Sequence, residues 1–157
     1  MDPDEDHATR AIVDIGAKPA VARRAVASGS LFLRAETIAA IRRGEVPKGS
    51  VTEASTIAAI QAVKETPRMI PHCHPIPIEG CSVKWHWLEQ GLRCEVEVSA
   101  HYRTGVEMEA LCGVCAALLC AFDMVKSFEK DEQGQYPVAR IEDIRVLRKE
   151  KGSPASG

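Results

Sequence analysis

The chain has 157 residues, with 20 lysines and arginines against 22 aspartates and glutamates, a formal charge of −2. That length fits one domain with a core large enough to fold without metals or disulfides. The 45% apolar and 27% charged content excludes global disorder, and the near balance of charge excludes bulk recruitment to DNA or to an anionic membrane.

Residues 1–10 carry Asp2, Asp4, Glu5 and Asp6 and no apolar stretch, so they read as a flexible tail rather than a secretory signal. In Ala17 to Leu33 the alanines and arginines favour a helix by propensity, while the alternation and Leu31-Phe32-Leu33 favour a long strand ending near Leu33, the reading preferred here. Arg34 to Arg43 reads as a short helix, with Ile38 and Ile41 three apart and Gly44 as its stop. Ser50 and Glu53 form a capping box. The helix behind it carries Ile57, Ile60 and Val63 and is expected to end before Pro67. Pro67, Pro71, Pro75 and Pro77 then mark a stiff loop around His72-Cys73-His74.

Residues 81–88 and 92–103 alternate and are joined by Glu89-Gln90-Gly91, the pattern of a hairpin with one buried side. Cys81, Val83, Trp85 and Trp87 share the predicted core face of the first strand. Leu92, Cys94, Val96, Val98, Ala100 and Tyr102 share that of the second. Val106 to Phe128 is the main helix, Asp131 to Pro137 a turn, and Arg140 to Lys149 a final strand. With one helix removed, the order is β-α-β-β-α-β. The predicted fold is therefore an α+β ferredoxin-like plait with an extra helix, its antiparallel sheet covered by helices on one face. The uncovered face suggests an oligomer. Residues 11–151 are expected to form the single catalytic domain and 152–157 a second flexible tail. Ala110 to Phe122 is the longest uncharged apolar run and is too short to span a bilayer.

Six cysteines (Cys73, Cys81, Cys94, Cys112, Cys115, Cys120) invite a disulfide framework, but that reading suits short secreted chains. The thiols are read as reduced and the protein as cytoplasmic. Cys81, Cys94 and Cys120 fall on apolar positions as packing residues. His72 and His74 with Cys112 and Cys115 would supply four zinc ligands on paper, but both cysteines lie inside an apolar helix, where small buried thiols pack. A redox Cys-x-x-Cys belongs at a helix start, and this one is mid-helix. His86 and His101 fall on outward strand faces.

The main helix opens with Glu107 and Glu109, runs thirteen residues without a charge, then carries Asp123 and Lys126 three apart on one face. A surface ion pair and an acid/base pair both fit. Glu109 and Asp123 lie within about 40° of one face but about 21 Å apart along the axis. One small substrate cannot touch both on one chain, so joint catalysis would need a second subunit. Lys48, in the Pro47-Lys48-Gly49 turn before a capped helix, suits an anion, although no phosphate-loop motif is present.

Five pieces in order carry a resemblance: Val13 to Pro19 with Arg23, Lys48-Gly49, Ile70 to Pro75, Thr104 to Leu111, and Phe122 to Lys126. Together they resemble the molybdenum cofactor biosynthesis protein C family, the cyclic pyranopterin monophosphate synthases, from about Val13 to Gly152. The resemblance implies conversion of (8S)-3′,8-cyclo-7,8-dihydroguanosine 5′-triphosphate to cyclic pyranopterin monophosphate, with pyrophosphate released by a phosphorus-oxygen lyase. It also implies a ferredoxin-like homo-hexamer, a trimer of dimers, with the active site at a subunit interface.

By position, Asp123, Lys126 and Lys48 match the family's catalytic residues. His72, Cys73, His74, Met108 and Glu109 match its substrate-binding stretches. Glu107, Lys18, Arg23 and Lys149 match residues lining the pocket or meeting phosphates. Lysines with depressed pKa values would suit the proton steps, and fixed cations would stabilise the departing pyrophosphate. No cofactor and no metal site are implied, Mg2+ entering only as a companion of the triphosphate. No nucleic acid or membrane partner is expected.

This chain departs from the family pattern in four places. Val125 stands where cysteine is common. His72 stands where leucine is common. Glu150-Lys151 follows Lys149. A longer Lys130–Tyr136 connection need not touch the site. Two other classes remain: a zinc or redox module on His72, His74, Cys112 and Cys115, and a nucleotide- or RNA-binding plait. The plait would want aromatics on an exposed sheet face, but only 4% of the chain is aromatic and both tryptophans are predicted inward.

Overall fold

The computed structural model describes residues 11–154. Its elements are β1 (Val21–Phe32), α1 (Ala35–Arg43), α2 (Val51–Met69), β2 (Gly80–Leu88), β3 (Gly91–Tyr102), α3 (Glu107–Glu129) and β4 (Arg140–Lys151). The strands form one antiparallel sheet in the order β2-β3-β1-β4. This is an α+β ferredoxin-like plait with α1 as the additional helix.

The strand expected across Ala17–Leu33 forms over Val21–Phe32, where alternation overrides the helix propensity of its alanines. Ala25, Ala27 and Leu31 are fully buried and pack with Cys94, Val96 and Val98 of β3. α3 supplies Ala110, Val114, Ala117, Leu118 and Ala121 to the same core. Gly113 lets α2 and the sheet close on α3. A Cβ there would come within 2.9 Å of Val63 and 3.1 Å of Val96. By length and composition α3 could cross a membrane, but more than half of its apolar stretch is buried against its own fold, as in a core helix.

Three expectations need correction. α2 does not end before Pro67 but runs through it to Met69. Proline has no N–H for the Val63 carbonyl, and the Thr66 hydroxyl, bonded to Ala62 O, sits 3.2 Å from that carbonyl. Trp87 is 41% exposed and Cys81 is exposed, although both share the inward parity of Val83 and Trp85. β2 is an edge strand that outruns the helix cover. Trp85 donates to Thr56 of α2, while Trp87 has the Arg42 guanidinium stacked over its ring at 4.4 Å. At the C-terminus the Gly152 N–H donates to Ala22 O at 2.8 Å, so pairing with β1 continues one residue into the expected tail. The tail at 1–10 and residues 155–157 lie outside the described residues.

The outer sheet face is charged around Glu97, which meets Arg148 at 3.4 Å and Arg24 at 3.9 Å. His101 donates from Nδ1 to Glu79 at 2.8 Å, and His86 lies 3.7 Å from Glu95.

Candidate active site

Two clusters form at opposite ends of α3. At its C-terminal end Asp123 lies between two lysines. Lys126, one turn on, places Nζ 2.7 Å from Oδ1. Lys48 places Nζ 2.9 Å from Oδ2 and 3.3 Å from the Asp123 carbonyl oxygen. Lys48 is delivered by the short connection between α1 and α2. Gly44 ends α1, with its N–H directed at the Ala40 and Ile41 carbonyls. Gly49 then takes φ 105°, a conformation that side-chain-bearing residues rarely adopt, and Ser50 caps α2 by accepting from the Glu53 N–H. Pro47, Met124 and Ser127 complete a cavity of about 170 Å³ around the three charges.

The two ammonium groups hold the Asp123 carboxyl down to about 2, Lys126 contributing more than Lys48. Asp123 in turn pushes the Lys126 pKa up. The expected depressed lysine is therefore not found at Lys126. Hydrogen bonding and an adjacent negative charge outweigh desolvation at this exposed position.

A larger cavity, about 340 Å³, opens at the N-terminal end of α3. Lys18, His72, Cys73, His74, Glu107, Met108 and Glu109 line it, joined by Val13, Ile15, Ile76, Thr104 and Gly105. Lys149 reaches it from β4 by an ion pair to Glu107 at 3.0 Å. Arg23 lies on β1 beside it, its Nε directed at Tyr102 O at 3.4 Å. Lys149 and Arg23 together hold the Glu107 carboxyl below its usual range against the opposing effect of burial. Glu109 is only 3% exposed, and burial with Glu107 nearby pushes its carboxyl up. Burial also raises the Cys73 thiol, with Glu109 and Cys112 adding to it, so Cys73 favours the neutral thiol. His72 and His74 spend ring nitrogens on the Ala11 and Val13 carbonyls, and among the described residues no three His, Cys, Asp or Glu side chains are grouped to hold a metal.

Every expected site residue therefore falls in one of two groups, and no single chain brings the groups together. The span along α3 is the reason. Sequence reasoning missed Tyr136. Asp131 folds its connection by accepting from the Gln133 and Gln135 amides, and Tyr136 then packs edge-on against Phe122 with ring centres 5.2 Å apart. Its phenol lies near enough to help raise the Lys126 pKa, so the long connection does reach this end of the site. An aromatic just after a Gly-containing turn was the only signal for it. Glu129 was missed as well. It is fully buried at the end of α3, accepting from the Arg34 N–H and the Thr37 hydroxyl at the start of α1.

The sequence pattern of the MoaC family matches residues 12–152. The chain is 53% identical over 140 residues to a probable cyclic pyranopterin monophosphate synthase of Pyrococcus abyssi, covering 89% of this chain and 88% of that one. It is 51% identical over 148 residues to one of Methanospirillum hungatei, covering 94% of each. It is 55% identical over 141 residues to one of Methanosphaerula palustris, covering 90% and 92%.

Proposed function

The chain belongs to the MoaC family, and from that premise we propose that it carries out cyclic pyranopterin monophosphate synthesis as a lyase of molybdenum cofactor biosynthesis. The substrate is (8S)-3′,8-cyclo-7,8-dihydroguanosine 5′-triphosphate, and the products are cyclic pyranopterin monophosphate and pyrophosphate. The observation that carries the reading is Asp123 held between Lys48 and Lys126 by contacts of 2.9 and 2.7 Å. This is a proton-handling centre assembled from two distant parts of the chain.

The reaction opens and re-closes rings by proton transfers. A ribose-derived hydroxyl then attacks the α-phosphorus. The new P–O bond forms as the bond to the β-phosphate oxygen breaks, and the electron pair leaves with pyrophosphate. At neutral pH Asp123 is a carboxylate and Lys126 an ammonium, by the directions of their shifts. The ammonium groups can donate protons and stabilise developing negative charge, while Asp123 fixes their orientation. A carboxyl held at about 2 is a weak base. Substrate that draws a lysine away from Asp123 raises its basicity.

At the other end, Lys18, Arg23 and Lys149 supply cations for the triphosphate, and His74 with the Cys73 and Met108 walls receives the ring system. Lys149 must exchange its Glu107 partner for phosphate. The overall step changes no oxidation level, so it needs no resident redox cofactor. Mg2+ would arrive with the triphosphate. Because the two groups stand about 21 Å apart on α3, one complete site draws its halves from different copies, in a homo-hexamer built as a trimer of dimers. We place the protein in the cytoplasm, with no nucleic acid or membrane partner.

The test is direct. Purified protein given the cyclised GTP should release one pyrophosphate per pterin formed. Protein of native fold and assembly that releases none contradicts the reading.

A further inference from the structure

We infer that His72 is a clasp that holds the Ala11–Lys18 segment as a wall of the larger cavity, and is thus a positioning residue rather than a substrate ligand. The inference rests on the functional reading above for what the cavity binds. The clasp itself rests on geometry alone.

His72 and His74 stand two apart on a loop stiffened by Pro71, Pro75 and Pro77. The carbonyls they meet, Ala11 and Val13, are also two apart. Two imidazoles two residues apart thus engage two carbonyls of one segment, across the bend at Ala11 and Ile12. His72 donates from Nδ1 to Ala11 O, and His74 donates from Nε2 to Val13 O at 2.7 Å. The segment so held supplies Val13, Ile15 and Lys18 to the cavity that His72, Cys73 and His74 also line. Its own fold prepares it for this. The Gly16 N–H donates to Asp14 Oδ1 at 2.8 Å, the Lys18 N–H donates to Ile15 O at 3.1 Å, and Ile15 is buried.

The two histidines then divide the work. His74 can turn its Nε2 toward a ligand only by releasing Val13. When it does, the wall hangs on His72, and Lys18 keeps its place in the cavity. A leucine at position 72 has no N–H to offer Ala11, so the clasp belongs to chains with a donor there.

Backbone amide exchange of the 11–18 segment, measured on the full chain, tests this alongside steady-state kinetics. In His72→Leu the segment should exchange ~3–10-fold faster, the worth of one net hydrogen bond. KM for the cyclised GTP should rise by a similar factor while kcat changes by less than about two-fold. His72→Asn, whose amide replaces Nδ1 as donor, should restore both. Unchanged exchange in His72→Leu overturns the clasp, as does a KM increase without faster exchange, which marks direct contact with substrate. The exchange result does not depend on turnover. A chain with the predicted exchange and no pyrophosphate release keeps the clasp and loses the assigned reaction.

Discussion

Lys48 Nζ lies 2.9 Å from Asp123 Oδ2, although 75 positions separate the two residues in the chain. The other carboxylate oxygen is taken by Lys126 at 2.7 Å. The three charges form a unit that no one element could build, since α3 supplies two of them and the α1–α2 connection the third. Asp123→Ala, Lys126→Ala and Lys48→Ala should each lower kcat ~10²–10⁴-fold. All three side chains are about half exposed, so the far-ultraviolet circular dichroism should stay native. A loss below about ten-fold in all three, against the range expected for proton-transfer groups, would remove the unit from the chemistry.

The same unit has a pH signature. Asp123 titrates at about 2 against an ordinary 3.8. A depressed carboxyl favours the folded state fully above its unfolded value, and that contribution is lost as pH falls toward about 2. Carbon-13 titration of the aspartate carboxyls should show one resonance titrating well below the rest. Lys126→Ala should move it up toward 3.8, further than Lys48→Ala does, because Lys126 contributes more. An unshifted resonance in both variants would contradict the geometry.

Glu109 carries the opposite sign. Burial raises its carboxyl, so the folded chain holds this proton more tightly than the unfolded chain does. Its contribution to stability is therefore greatest below the unfolded value and falls as pH rises through the raised one. Glu109→Gln removes the cost of burying an ionised carboxylate. At pH 7–8 the variant should melt at or above the wild-type temperature, with the difference vanishing near pH 4. It should also bind the cyclised GTP less well. A variant that melts lower at pH 8 than at pH 4, relative to wild type, would contradict the sign.

Glu129 is a different kind of buried acid, because its oxygens are used. Both face the Arg34 N–H, at 3.2 and 3.1 Å, and one also accepts from Thr37. Glu129→Ala strands one buried and one part-buried donor and should cost about 2–4 kcal/mol in urea unfolding. Glu129→Gln, which keeps one acceptor oxygen, should cost less. Since Arg34 is the N-cap of the helix that leads to Lys48, Glu129→Ala should also lower kcat. Equal stability of the Ala and Gln variants would contradict this account.

Much of this was legible in the residues because local and global preferences agree. Alternation in β1 and β3, the Ser50 cap, Gly44 and the apolar run of α3 all point to the plait that forms. The misreadings have physical causes. Pro67 is an ordinary helix breaker until a neighbouring threonine hydroxyl approaches the carbonyl it leaves free. The inward parity of Trp87 and Cys81 does not bury them, because parity sets a side chain's face but not whether a helix reaches that far along an edge strand. Tyr136 and the Glu129–Thr37 contact depend on where loops and helix ends meet in space, which no local pattern encodes. The site residues were recognisable by type and order. Their division into two separated groups was foreshadowed only by the rise of α3.

That division is the central claim, and mixing two dead variants tests it most directly. Asp123→Ala disables one end of α3 and His74→Ala the other. Each protein alone should be inactive toward the cyclised GTP. Co-assembled in equal amounts, they should recover about a quarter of wild-type pyrophosphate release, because about one site in four then draws an intact half from each of two chains. No recovery in verified mixed assemblies, or full activity in a wild-type monomer, would contradict a site shared between copies.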